Sequence, residues 1–558
     1  MPLSALLLLL APAVAAPSVD RAPDVDAAGS GQTAAPAAPA DPTPLEALLV
    51  DALQTSTNAL AERPEPPHYL SLAVEDWRQT TLSARDGTVG QQRDERVRFL
   101  EVDVRTGTPE LDSTHPLRGF SALADEDRDS IRVPLDEGYA MRHAVWRAVD
   151  DAYRSAAEKI VILRANRNVK VEEEDPAPDF EPREPVVDRV PVPALPAEMV
   201  DAWQEALVAA SARLAEVPEL VSGSVTLQLD RVEKTFVDTE GTRLVHGRTH
   251  GRISLSLSAV APDGDEVNVF DATDAEDPTR LVATDLDERV DRAVQQLHDR
   301  LNAPRADPYS GPVLLTGRAA GVFFHEVLGH RVEGHRQKRD DEGKTFADQI
   351  GRRVLPYWID VFDDPRVEEL AGEQLNGHYR YDDEGVPAQR ADIVDDGVFV
   401  GFLMGRSPIE GFEHSNGHGR RSAGHAAQAR MGNTIVEVSA PLTPQALRAE
   451  LVAQIKAQHL EYGYIVEEIE GGFTMTGRVT PNAFNVRASS TLRVFADGRP
   501  DERVRGIDLV GTPLVAFDQL MAAGDDYEVF NGVCGAESGW CRSQRWRRRS
   551  CSGASSSS

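Results

Sequence analysis

The sequence predicts an α+β fold of two domains, and three observations carry that prediction. With 558 residues, the chain is long enough for several domains of about 100–200 residues each. Its first half, residues 45–305, mixes half-buried strand patterns with helical ones. Its second half, residues 306–541, is made of short alternating segments punctuated by Gly and Pro, with the boundary near Ala303–Gly311. Taken in order, Leu70–Val74 and Val97–Val102 alternate as half-buried strands. Glu137–Ile162 is helical in composition, with Met141, Val145, Ala148, Tyr153 and Ala156 among its apolar positions. A Pro- and Glu-rich linker, residues 171–196, precedes a helix at Glu198–Leu214. Gly223–Leu229 and Gly251–Leu257 read as strands, and a helix at Leu281–Leu301 closes the half. No period of 20–50 residues repeats, which argues against a solenoid.

Composition narrows the function classes. Hydrophobic residues at 41% exclude wholesale disorder, and three cysteines exclude a disulfide scaffold. A net charge of −32 argues against a general nucleic-acid or anionic-membrane binder, since both need basic surface. Residues 1–16, MPLSALLLLLAPAVAA, hold an apolar run from Ala5 to Ala16 and an A-x-A cleavage pattern at Ala13–Ala15. Such a run is too short to span a bilayer and suits a secretory leader. Export to a periplasm or the exterior is therefore expected; the lack of Lys or Arg before the run keeps a cytoplasmic location as the alternative. No apolar run of 18 residues follows, so no membrane span is expected. Residues 17–44, rich in Ala and Pro, are expected to be a disordered spacer. Residues 542–558 carry five Arg and seven Ser in an otherwise acidic chain. They read as a basic tail for an anionic partner or, preferably, as the product of a reading-frame shift near Trp540.

The chemistry-bearing stretch is Gly321–His335, which contains His325-Glu326-Val327-Leu328-Gly329-His330. This His-Glu-x-x-x-His is one residue longer than the HExxH of common zinc proteases. Residues four apart lie about 40° apart around a helix, whereas residues five apart lie about 140° apart. His325 and His330 therefore reach one metal only if the helix widens or unwinds, and Gly329 eases such a distortion. Two imidazoles suit zinc, and Glu326 suits a general base acting on water. The third ligand is open among His335, His414, His418, His425 and Cys534. A fourth ligand, such as His335, would instead close the site and make it structural.

The segment His325–Gly334 resembles the signature of the TldD/PmbA family of metalloproteases, on its zinc-bearing TldD side. Tyr381–Pro387, Asn416–Arg421 with Arg430–Thr434, Glu470-Gly471-Gly472 and Asn531–Gly535 resemble further family motifs in the same order across residues 310–539. The resemblance implies a two-domain architecture with mixed and antiparallel sheets and a distorted HExxxH helix. It implies one Zn2+ per chain held by His325, His330 and Cys534, with Glu326 as catalytic base. It also implies a homodimer, or a heterodimer with a zinc-less paralogue, enclosing a narrow chamber. The expected function is hydrolysis of small or unfolded peptides through a zinc-activated water. The alternative is a catalytically impaired peptide-binding or scaffold subunit.

Other motif residues carry open expectations. Arg420 and Arg421 would clamp a peptide carboxylate or carbonyl, or form structural ion pairs. Asp382, Asp383 and Glu384 read as a solvated turn in preference to groups orienting a ligand histidine. Gly471 and Gly472 would let substrate backbone approach, or form a turn. Family members continue past the Cys534 motif with an apolar strand or two, whereas this chain turns into Trp540-Cys541-Arg542 and the basic tail. An incomplete sheet behind Cys534 is expected from that departure; in an oxidising compartment Cys541 could form a disulfide with Cys534, which metal binding would protect.

Overall fold

The computed structural model describes residues 7–10, 41–116, 130–167, 175–195, 197–339, 342–478, 483–525, 527–536 and 538–542. Most of the expected spacer and the tail beyond Arg542 lie outside the described residues. Strand β1 (Leu7–Leu10), inside the expected leader, is paired in a sheet of the second half. The first half opens with α1 (Pro44–Leu60), where Thr43 Oγ1 accepts from Glu46 N at 3.1 Å and Pro44 occupies the first turn. Strands β2 (Pro67–Arg85) and β3 (Thr88–Thr108) follow as one hairpin. Its turn is Asp86-Gly87, both with positive φ (51° and 70°), the geometry whose twist matches paired strands. Next come α2 (Tyr139–Arg167), α3 (Ala197–Ala215), β4 (Leu220–Asp238), β5 (Arg243–Val260), β6 (Glu266–Ala275) and α4 (Leu286–Asn302).

The strands pair antiparallel in the order β3-β2-β4-β5-β6. Two helix pairs cover them. Leu49 of α1 and Met141 and Val145 of α2 pack on Leu70, Leu72, Val74 and Leu100. Trp203 and Leu207 of α3 and Val290 and Leu297 of α4 pack on Leu82, Leu227, Leu229 and Leu255. Three expectations are corrected here. The strands run far beyond their alternating cores; Thr88–Asp94, polar and exposed, is still strand because β2 supplies its partners. The last helix begins at Leu286, because short 3-10 turns take up 278–280 and 283–285. The described part of the expected linker, 175–195, is a packed strap: Asp179 and Phe180 are buried, and Phe180 stacks beside Tyr69 with the Arg105 and Arg406 guanidiniums over its ring.

The second half comprises β7 (Pro312–Leu315), α5 (Gly317–Val327), β8 (Ile359–Asp363), β9 (Ala391–Asp395), β10 (Thr434–Val438), α6 (Pro444–Ala457), β11 (Tyr462–Thr474) and β12 (Phe484–Phe495). It continues with β13 (Glu502–Val504), β14 (Asp508–Gly511), β15 (Leu520–Ala523), β16 (Val533–Ala536) and β17 (Gly539–Arg542). Its main sheet has the order β13-β12-β11-β7-β1-β15, with β14 also on β12. The β1 strand runs parallel to both of its neighbours, Leu7 opposite Pro312 and Leu8 opposite Leu520. A smaller antiparallel sheet contains β9-β8-β10. The fold is thus α+β with mixed and antiparallel sheets. Among the described residues the β16–β17 hairpin is a two-stranded sheet of its own, and β1 lies between β7 and β15 in the main sheet.

The acidic turn joins the halves and is not solvated. Asp382 is 3% exposed and accepts from the backbone N–H groups of Glu384, Val386 and Gly419. Asp383 pairs with Lys234 of β4, whose Nζ is also 2.9 Å from Glu75 of β2. Gly385 has a φ of 79°, and a Cβ there would meet the Phe236 ring at 2.8 Å. Among the described residues, no helix is long and apolar enough to cross a membrane.

Candidate metal centre

The HExxxH segment begins as helix α5, seated on the main sheet by Phe323, whose ring packs edge-on against Phe484 and Phe517. The α-helix stops at Val327, and Gly329–Arg331 winds as a 3-10 turn. That change is the unwinding the five-residue spacing demands: the His325 and His330 ring centroids come within 4.9 Å, at 83° to each other. Two contacts fix the break. Arg331 Nη1 donates to the carbonyls of Glu326 (2.7 Å) and Val327 (3.2 Å), capping the helix end. Met431 fills the space over Gly329, where a Cβ would lie 2.0 Å from its sulfur. Arg420 holds that methionine in turn, donating to the Met431 carbonyl at 3.0 Å.

Cys534, on β16, completes the cluster. One ligand atom each from His325, His330 and Cys534 lie within 4.8 Å of one another, and Cys534 Sγ is 3.2 Å from His330 Nε2. Zinc bound at about 2.0–2.3 Å to each donor brings its ligand atoms to within about 4 Å of one another, so the His2Cys set fits that ion. Burial alone would raise the Cys534 thiol, but His330, His325 and Arg430 outweigh it and hold the thiol well below its ordinary value. Burial likewise opposes the charged form of His330, yet Cys534 and Glu333 push it up to about 10. Glu326 is 7% exposed, and burial raises its carboxyl above the usual range against the pull of His325 and His330. Its side chain lies along β11, where a Cβ on Gly472 would be 2.7 Å from Glu326 Cγ.

The remaining candidates distribute differently. None of His335, His414, His418 and His425 joins the cluster. His414 bonds Glu181 at 2.9 Å, and the buried His418 bonds Asp363 at 3.1 Å. Arg420 is 8% exposed and stacks over Tyr379. Arg421 bonds Asp383 through its backbone N–H at 2.7 Å, and its buried guanidinium is raised by Glu101 and Asp383 against the cost of burial. Both arginines thus contact residues of the chain itself. Nothing crowds Gly471, whereas Gly472 is required by the Glu326 side chain. In the β16–β17 hairpin, Cys541 takes the register position opposite Cys534. Two residues that sequence reasoning passed over surround the cluster: Glu333, three residues after His330, and Arg430, which opens the Arg-Met-Gly-Asn-Thr stretch. Their signal was present only as charge inside motifs, with nothing to pair them.

Residues 308–541 match the family model of the PmbA/TldA metallopeptidase C-terminal domain. A protein described as a metalloprotease from Methanothermobacter thermautotrophicus is 28% identical over 355 residues, spanning 61% of this chain and 70% of that one. A metalloprotease TldD homolog from Haemophilus influenzae is 28% identical over 250 residues, spanning 44% of this chain and only 47% of its own length. A zinc metalloprotease TldD homolog from Saccharolobus solfataricus is 24% identical over 331 residues, 57% of this chain and 67% of that one. The crystal structure of TldE from Thermococcus kodakarensis superposes with a TM-score of 0.54 at 16% identity, covering 85% of this chain and 92% of the other, and so shares the fold. By residues 308–541, this chain is thus similar to the C-terminal domain of the PmbA/TldA metallopeptidases.

Proposed function

We propose that the chain is a zinc metallopeptidase that hydrolyses small or unfolded peptides. The observation that supports this most is the convergence of His325, His330 and Cys534 within 4.8 Å, on a broken helix that also carries Glu326. His325 Nε2 or Nδ1, His330 Nε2 and Cys534 Sγ would hold one zinc per chain. Zinc, when bound, supplies a Lewis acid and a water acidified to near-neutral pH. Glu326 would take the proton of the attacking water and return it to the departing amide nitrogen. The raised carboxyl suits that exchange, because it narrows the gap between acid and base forms at working pH. Pairing in a dimer, with a second copy or a zinc-less paralogue, is proposed with it and is read by light scattering.

Elemental analysis of the purified chain tests the ligand set. We expect about one zinc per chain, lost in Cys534→Ser. A folded chain without zinc would overturn the reading. Glu326→Gln separates catalysis from binding: hydrolysis of an unfolded peptide should fall at least ~10^2-fold, the scale of general-base catalysis, while zinc content stays. Hydrolysis that persists in that variant would sink the role given to Glu326.

A further inference from the structure

The ligands of the candidate centre come from segments 204 residues apart in the chain, and helix α5 shares no strand pairing with the β16–β17 hairpin. One buried ion pair joins them at the site. Glu333 is 0% exposed, and its Oε1 lies 3.3 Å from His330 Nδ1 and 3.1 Å from Arg430 Nε. Its Oε2 accepts from Arg336 Nε at 3.0 Å and Nη2 at 2.8 Å. Arg430 is 1% exposed; Nη2 donates to Cys534 Sγ at 3.0 Å and to the Cys534 carbonyl at 3.2 Å, and Nη1 donates to Ser538 Oγ at 2.9 Å. A single guanidinium thus reaches from the carboxylate facing one ligand to the sulfur of another.

We propose that Glu333 and Arg430 are the positioning residues of the metal centre. Glu333 sets its carboxylate beside His330 Nδ1, with Nε2 on the side facing Cys534. Arg430 holds the sulfur and the hairpin that carries it, so the donor atoms are set before a metal arrives. A buried ion pair is weak evidence of stability, since an apolar pair of similar volume often serves as well. Its placement against two ligands at once is what a plain structural pair would not need. Carboxylates behind ligating histidines commonly tune metal affinity by 10–100-fold, and the planar guanidinium fork is the group able to meet three acceptors in fixed directions.

The inference rests on reading His325, His330 and Cys534 as ligands, and cobalt(II) is the probe that separates the two ideas. If the wild-type full chain binds no cobalt, the ligand reading fails. If it binds with a thiolate-to-cobalt charge-transfer band, the ligand reading stands and the variants decide the rest. We expect Arg430→Gln to bind cobalt 10–100-fold more weakly in competition with a chromophoric chelator, with the thiolate band lost or much reduced. Thermal unfolding of the metal-free variant checks that it folds. Should the Gln variant not fold, Arg430→Lys decides, since it keeps the charge beside Glu333 but cannot reach the sulfur, the carbonyl and Ser538 together. It should show at least a threefold loss and a shifted band. Affinity within twofold of wild type with an unchanged band, in a folded variant, would overturn the proposal.

Discussion

A missing methyl group at residue 472 makes room for the Glu326 side chain. A Cβ at Gly472 would lie 2.7 Å from Glu326 Cγ and 3.0 Å from the Asn485 carbonyl, and its three nearest atoms include none of His325, His330 or Cys534. Gly472→Ala should therefore displace the carboxylate at a cost of about 1–3 kcal/mol and leave the ligands alone. We expect peptide hydrolysis to fall at least ~10-fold, equivalent to about 1.4 kcal/mol, with zinc content unchanged; loss of zinc would show that Glu326 and the ligands are not separable. At this scale much was legible in the sequence. His325, Glu326 and His330 are contiguous, so spacing alone exposed the need to break the helix, and the structure breaks it after Val327. The second reason for Gly329, the Met431 side chain lying over it, could not be read, because that contact joins residues about a hundred positions apart. Glu333 and Arg430 escaped for the same reason.

At the scale of elements, periodicity located helices well and strands poorly. Helices α2 and α3 stand close to their expected positions because one apolar face fixes them locally. The outer parts of β2 and β3 carry no alternation, since no core lies beneath Thr88–Asp94, and pairing alone extends them. The strap at 175–195 was read as part of a linker because Phe180 finds Tyr69, Arg105 and Arg406 only after both halves meet. The acidic turn was misread likewise: its cation, Lys234, sits on a strand of the other half. Burial opposes ionisation of Asp383, but Lys234 and Arg421 outweigh it and hold its carboxyl well below the usual range. The folded value is depressed, so the stabilisation is present above the ordinary carboxyl value near 3.9 and is lost as pH falls through the lower folded one. Lys234→Met should cost about 3–5 kcal/mol, as for other buried pairs stripped of one partner, and should remove that part of the acid dependence. Equal urea midpoints for the variant and wild type would show that the turn is not what fastens the halves.

At the scale of the whole molecule, the candidate metal centre belongs to the second half, which buried polar contacts fasten to the first. Arg406 is 2% exposed and reaches the Glu181 carbonyl of the strap and Glu240 of the β4–β5 turn, each at 2.7 Å. The segment Leu7–Leu10 has a different kind of consequence. It occupies an interior lane of the main sheet, flanked by β7, which leads directly into the helix of the candidate metal centre, and by β15. A peptidase acting at Ala13–Ala15 would withdraw that strand, leaving the facing edges of β7 and β15 without their partner. A chain beginning at Pro17 is expected to melt several degrees lower than the full chain and to aggregate sooner; identical melting would show that the lane closes by itself. Secretion and a closed sheet would then compete for the same few leucines.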